Sequence, residues 1–230
     1  EACEDGWAAA EMAQKTGQNR AEMLGRFIAG YMLIEQGQLG SARKETDRGL
    51  YLARRLGSGN FVTEGLCFLA LIEIAEDRMD EAKACINQAL DILRDVGMTF
   101  FGPIALGIAA RLADEPTEWV AFLEEAEQVL KSGCVSHNYF LFYRDGIETA
   151  LDHRDWPRAE RYCDALENYT SGEPLPWSDL FIRRGRALAR HGLGDRSPQL
   201  ATELEQVAVA VKEAGFVGHL SAIAEARTAM

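Results

Sequence analysis

Leu50-Tyr51-Leu52-Ala53-Arg54-Arg55-Leu56-Gly57 closes one apolar-periodic stretch of the chain, and Ala89-Leu90-Asp91-Ile92-Leu93-Arg94-Asp95-Val96-Gly97 closes the next. Each carries apolar residues at helical spacing, a basic residue in the last turn and a terminal glycine, a combination that stops a helix. The glycine accepts a left-handed backbone conformation that a Cβ penalises. Working outward, the same punctuation falls at Gly17, Gly133, Gly172 and Gly215, giving intervals of 40, 40, 36, 39 and 43 residues along the series. A period of this size signals helix pairs stacked into an array. Gly57, Gly97 and Gly215 are expected in the left-handed region. The 36-residue step to Gly133 is the irregular one, and it is where function is sought first.

A second register lies inside each pair, at Gly37-Gln38-Leu39, Asp77-Arg78-Met79, Thr117-Glu118-Trp119, Arg154-Asp155-Trp156 and Gly192-Leu193-Gly194. It predicts first helices over 20–36, 62–76, 103–114, 137–152 and 178–191. The second helices then cover 40–56, 80–96, 118–132, 156–170 and 197–214, the last opened by Ser197 as N-cap and Pro198 in the first turn. An orphan helix precedes the array over 2–16, and another follows over 217–229. No stretch alternates with period two, so no strand is expected. The fold class is all-α: an α-α superhelix, a solenoid of about five antiparallel helix pairs in a single domain spanning 1–230.

Composition narrows the partners. A net charge of −12 argues against nucleic-acid phosphate, which needs clustered basic surface, and against anionic membranes. No apolar run reaches the ~20 residues that span a bilayer. Five scattered cysteines without a C-x-x-C pair point to reduced thiols and a cytoplasmic location, with Cys85 and Cys163 packed between helices. The chain opens at Glu1 inside what looks like the second helix of a pair, so a fragment of a longer protein is expected.

Gly30, Ala70, Ala42, Ala82 and Ala159 are small residues where paired helices approach most closely. With the Gly/Asp-x-hydrophobic turns, they resemble the tetratricopeptide repeat, in a longer form than its nominal 34 residues. From Asp91 to Gly192 the chain also resembles the C-terminal repeat region of bacterial class III adenylate/guanylate cyclases. The segments carrying that resemblance are Gly97-Met98-Thr99-Phe100-Phe101-Gly102-Pro103, Ser132-Gly133-Cys134-Val135-Ser136-His137-Asn138 and Glu173-Pro174-Leu175-Pro176-Trp177. The resemblance implies a regulatory module behind cyclase and ATPase domains of the same polypeptide, engaging a protein or peptide partner. It supplies no catalytic residue. A repeat domain of an ATP-dependent transcriptional regulator, or a sensor of an anionic small molecule, is the alternative.

Enzymatic motifs are missing from the sequence. There is no P-loop, no H-E-x-x-H and no G-x-S-x-G elbow. The four histidines stand singly, so no metal and no cofactor is expected, and the Glu124-Glu125 pair belongs on an outward face. What remains is the concave face formed by the first helices. By register it presents Phe27 and Tyr31, Cys67 and Leu71, Gly107 and Arg111, Arg144 and Glu148, and Ile182 and Arg186. Arg111, Arg144 and Arg186 would make a ladder for an acidic peptide or another anion. The alternative is that they pair with Glu148, Asp145 and Asp114. In the run Tyr139-Phe140-Leu141-Phe142-Tyr143, Phe140 and Phe142 are expected in the core. Tyr139 or Tyr143 then lends its phenol to the groove or to a hydrogen bond. Trp177 is expected to staple a helix start.

Overall fold

A computed structural model describes residues 2–230, and among them there is no strand. The first helices of the pairs are α2 (Asn19–Glu35), α4 (Gly59–Ala75), α6 (Gly102–Leu112), α8 (His137–Asp152) and α10 (Pro176–Gly192). Their partners are α3 (Leu39–Arg55), α5 (Met79–Val96), α7 (Pro116–Lys131), α9 (Trp156–Thr170) and α11 (Pro198–Glu213). Helix α1 (Ala2–Lys15) packs on α2 at one end. At the other, the expected trailing helix is broken into a 3-10 turn (Val217–His219) and α12 (Ser221–Thr228). Each helix contacts its neighbours in sequence, and the first helices also touch one another along the inner face. Among the described residues no helix is long and apolar enough to cross a membrane.

The two helix types differ because they bury different amounts of surface. The outer helices bury one stripe, as with Trp119, Leu123, Ala126 and Leu130 in α7, or Leu200, Leu204, Val207 and Val211 in α11. Glu124 and Glu125 project outward from α7. The inner helices are covered on nearly every side; in α6 all residues but Arg111 are buried. Close approach needs residues without bulk. A Cβ on Gly25 would lie 2.7 Å from the Gly6 carbonyl oxygen, so α1 and α2 meet backbone to backbone there. Cys163 is fully buried, its thiol pushed up to about 12 by desolvation, while Cys85 is only half-buried; all five thiols are free.

The turns follow one rule and break it in the middle. At Gly57 (φ 64°) the glycine N–H donates to the Arg54 carbonyl and the Ser58 N–H to that of Ala53, which satisfies the orphan carbonyls of α3. The same pair of bonds recurs at Gly17, Gly37, Gly194 and Gly215, and at two non-glycines, Asp77 (φ 59°) and Arg154 (φ 58°). Gly97 departs from expectation: its φ of 111° with ψ of 137° combines a positive φ with an extended ψ, a glycine-favouring conformation that is not a left-handed helical turn. Gly172 has no positive φ, because the α9–α10 link runs on through Leu175 to the helix-opening Pro176. The links before α6 and before α8 are longer and irregular, and they hold one another: Asn138 Nδ2 donates to the Phe100 carbonyl at 2.8 Å, and the Val135 N–H to that of Thr99 at 3.3 Å.

The regular turns predict opposite responses to glycine exchange. Nothing lies within 4 Å of a Cβ at Gly57, so Gly57→Ala should cost only the ~1–2 kcal/mol of a forced left-handed residue. Arg154→Gly should stabilise by relieving the same strain, and Gly25→Ala should be worse than Gly57→Ala. Urea unfolding of the three variants checks the order.

Candidate functional site

The inner face is not an open groove. The array curls until its last segment meets its first pair. A Cβ on Gly37 would lie 3.0 Å from Val217, and Gly215 lies against Gln36. Beneath that junction sits a buried cluster of charges. Arg144 of α8 donates through Nη1 to Glu35 of α2 at 2.6 Å and to the Tyr31 hydroxyl at 3.2 Å, and its Nε lies 2.9 Å from Asp145. His219 donates from Nε2 to the other Glu35 oxygen at 3.1 Å, and its Nδ1 is 3.9 Å from Glu148. Arg184 of α10 binds Glu148 at 2.5 Å and, through Nε, the His219 carbonyl at 3.1 Å. Arg111 completes the set, 3.6 Å from Asp145.

Burial of so many charges is costly unless each is matched. Burial alone would raise the Glu35 carboxyl, but Arg144 and the hydrogen bond from His219 outweigh it and hold the group down at about 2. Glu148 is likewise held low against its burial, first by Arg184. Asp145 is different. Burial keeps its carboxyl above the usual aspartate range despite Arg144 and Arg111, and neither of its oxygens accepts a hydrogen bond among the described residues. It is the least satisfied member of the cluster.

The cluster divides the inner face into two cavities. One, of about 260 Å³, lies among Phe27, Tyr31, Glu64, Phe68, Phe101 and His137, with Ile28, Met32 and Leu141. The other, of about 690 Å³, lies between α8, α10 and α12 and is bordered by Glu148, Asp152, Arg154, Arg184, Arg196 and Glu225 among others. Tyr31 faces the first cavity, and Glu148 and Arg184 the second. Compared with protein-family models, curated proteins and solved structures, the chain matches none.

The sequence-derived site residues divide accordingly. Phe27 and Tyr31 border the first cavity, although Phe27 is itself only 1% exposed and packed edge-on to Phe68. Arg111, Arg144 and Glu148 are brought together as expected, but as partners of one another's cluster rather than as a free ladder. Arg186 is a correction. It turns away from the inner face to Glu160, Asp164 and Glu167 of α9, and Arg184 takes the groove position. Two residues are about 200° of helical rotation, so the register was on the wrong face. Tyr143 is another correction: it lies between α7 and α9 with Tyr139, Arg161 and Tyr162, away from Tyr31. Asp114 pairs with Lys83 instead of an arginine.

Phe142 is fully buried as expected, whereas Phe140 is half-buried against Tyr169. Tyr139 donates its hydroxyl to the Leu130 carbonyl at 3.0 Å, and Trp177 packs on Phe181. In α4 the inner stripe is Glu64 and Phe68; Cys67 and Leu71 are buried between helices. The sequence reading missed Glu35, Glu64, Arg184 and His219. A signal for Glu35 is present, since it lies two helical steps of four beyond Phe27 and one beyond Tyr31.

Removing Arg144 alone, as in Arg144→Met, strands Glu35 and Asp145 and should cost about 3–5 kcal/mol in urea unfolding. The acid response follows from the depressed Glu35. Its contribution is complete above the ordinary glutamate value of 4.5 and is lost as pH falls from there through about 2. Thermal melts of Glu35→Gln over this range should therefore lose less stability on acidification than the unaltered chain.

Proposed function

We propose that this chain is a protein-interaction and regulatory repeat module of a multidomain bacterial signalling protein. It works by binding rather than by turnover. The parent its sequence resembles is an adenylate/guanylate cyclase with an ATPase module, so its partners include upstream domains of the same polypeptide. The observation that supports this reading best is the closure of first repeat on last. Glu35 reaches Arg144 across 109 residues of sequence and His219 across 184.

Repeat arrays contact only near neighbours along the chain, so a contact of that span adds a constraint the stacking alone does not supply. A partner that binds an array with the junction apart more tightly than one with it closed would shift curvature, and with it the packing of whatever is attached. Such coupling requires two global states and a ligand that distinguishes them. The anionic-ligand alternative draws no support from Arg111, Arg144 or Arg186, each of which already faces a carboxylate.

The reading is tested on the gene and on the full-length product. Cyclase and ATPase motifs should be encoded on the N-terminal side of Glu1. Arg144→Met in the full polypeptide should change cyclic-nucleotide production by about fivefold or more, the lower end of ordinary allosteric coupling. A reading frame without those motifs, or unchanged output from a variant whose scattering profile shows the array opened, would contradict it.

A further inference from the structure

The smaller inner cavity has a composition that points to a ligand of definite charge. Its wall is a continuous chain of rings. Phe27 meets Phe68 at 5.8 Å between centroids, Tyr31 meets Phe68 at 5.4 Å, Phe68 meets Phe101 at 6.1 Å and Phe101 meets His137 at 5.4 Å. Into the same space projects Glu64, which makes no hydrogen bond or ion pair with the described residues. The fully buried acidic groups of the inner face, Glu35, Asp145 and Glu148, each have an arginine beside them, whereas the half-buried Glu64 has none. A ring wall attracts cations through its quadrupole, and a desolvated carboxyl without a partner gives up its proton readily only when a cation supplies the missing counter-charge.

From the ring wall and the unpartnered Glu64, we infer that this cavity is a binding site for a small organic ammonium compound, its cationic head held against Glu64 and the rings of Phe68 and Phe101. The proposal is separate from the regulatory reading and stands whether or not that reading does. At about 260 Å³ the cavity lies just under the usual range for drug-sized ligands, so it suits a head group on a short stem. An extended peptide would need the groove to continue, and the Glu35–Arg144 cluster closes it at Tyr31.

The other groups around Glu64 do not compete with a cation. His137 of α8 donates from Nε2 to the Phe100 carbonyl at 2.7 Å, and burial holds it below the usual imidazole range, so it contributes a neutral ring. Tyr31 of α2 has its phenol pushed well up by burial, and the Cys67 thiol on the same helix as Glu64 is pushed well up too. Desolvation likewise raises the Glu64 carboxyl to about 8. The Glu64 carboxyl therefore holds its proton at neutral pH, and binding of an ammonium group releases it. Affinity rises as pH is raised through 8.

The test compares choline with its neutral isostere, 3,3-dimethylbutan-1-ol, by calorimetry and by NMR on the intact chain. Choline is expected to bind at least about tenfold more tightly than the alcohol, and Glu64→Gln to remove that difference. Cross-relaxation from the choline methyl groups should reach ring protons of Phe68 and Phe101. At pH 7 the heat in buffers of different ionisation enthalpy should report proton release by the unaltered chain and none by Glu64→Gln. Equal affinity for choline and alcohol, undiminished choline binding by Glu64→Gln, or methyl contacts confined to other rings would each overturn the site. A lysine-containing peptide that outcompetes choline would overturn the small-molecule assignment.

Discussion

A guanidinium buried among acids holds this array in its shape. Arg144, at 3% side-chain exposure, binds Glu35 and Tyr31 of the first pair while lying against its own neighbour Asp145. Helix stacking by itself fixes each repeat on the next and leaves the superhelix free to flex. The cluster replaces that freedom with one closed arrangement, because an arrangement that separated Arg144 from Glu35 would leave two buried charges unmatched. Glu148, Arg184 and His219 carry the same logic to the last segment. The energetic value of such a cluster is less in net stability than in the penalty for its partial loss.

The helical architecture was legible in the sequence because its signals are local. A glycine after a basic last turn, and apolar residues three and four apart, act within one helix and its cap. The breaks in the pattern have equally local causes. Gly97 opens an extended link instead of a tight turn, and Asp77 and Arg154 adopt the left-handed conformation where glycine was the obvious choice.

The inner face was legible only in part. Arg111, Arg144 and Glu148 were placed together because α6 and α8 keep the expected register. In α10 the face fell on Arg184 instead of Arg186, and in α4 on Glu64 and Phe68 instead of Cys67. Curvature of the array decided the rest. No local pattern could reveal that Glu35 and His219 meet, since their contact depends on the summed rotation of every pair between them. The irregular step near Gly133 has a structural meaning: the links before α6 and before α8 bind each other through Asn138 and bring Phe101 and His137 to the wall of the smaller cavity.

Closure of the first repeat on the last is therefore the claim on which the regulatory reading depends. Native-state hydrogen exchange on the unaltered chain and on His219→Ala measures it directly. If closure is as described, amides of 31–37 and of 215–220 lose protection together, although they are remote in sequence, while those of α4 and α6 keep theirs. Loss of protection confined to 215–228, with 31–37 unchanged, would show that the last segment does not hold the first pair, and would contradict the account.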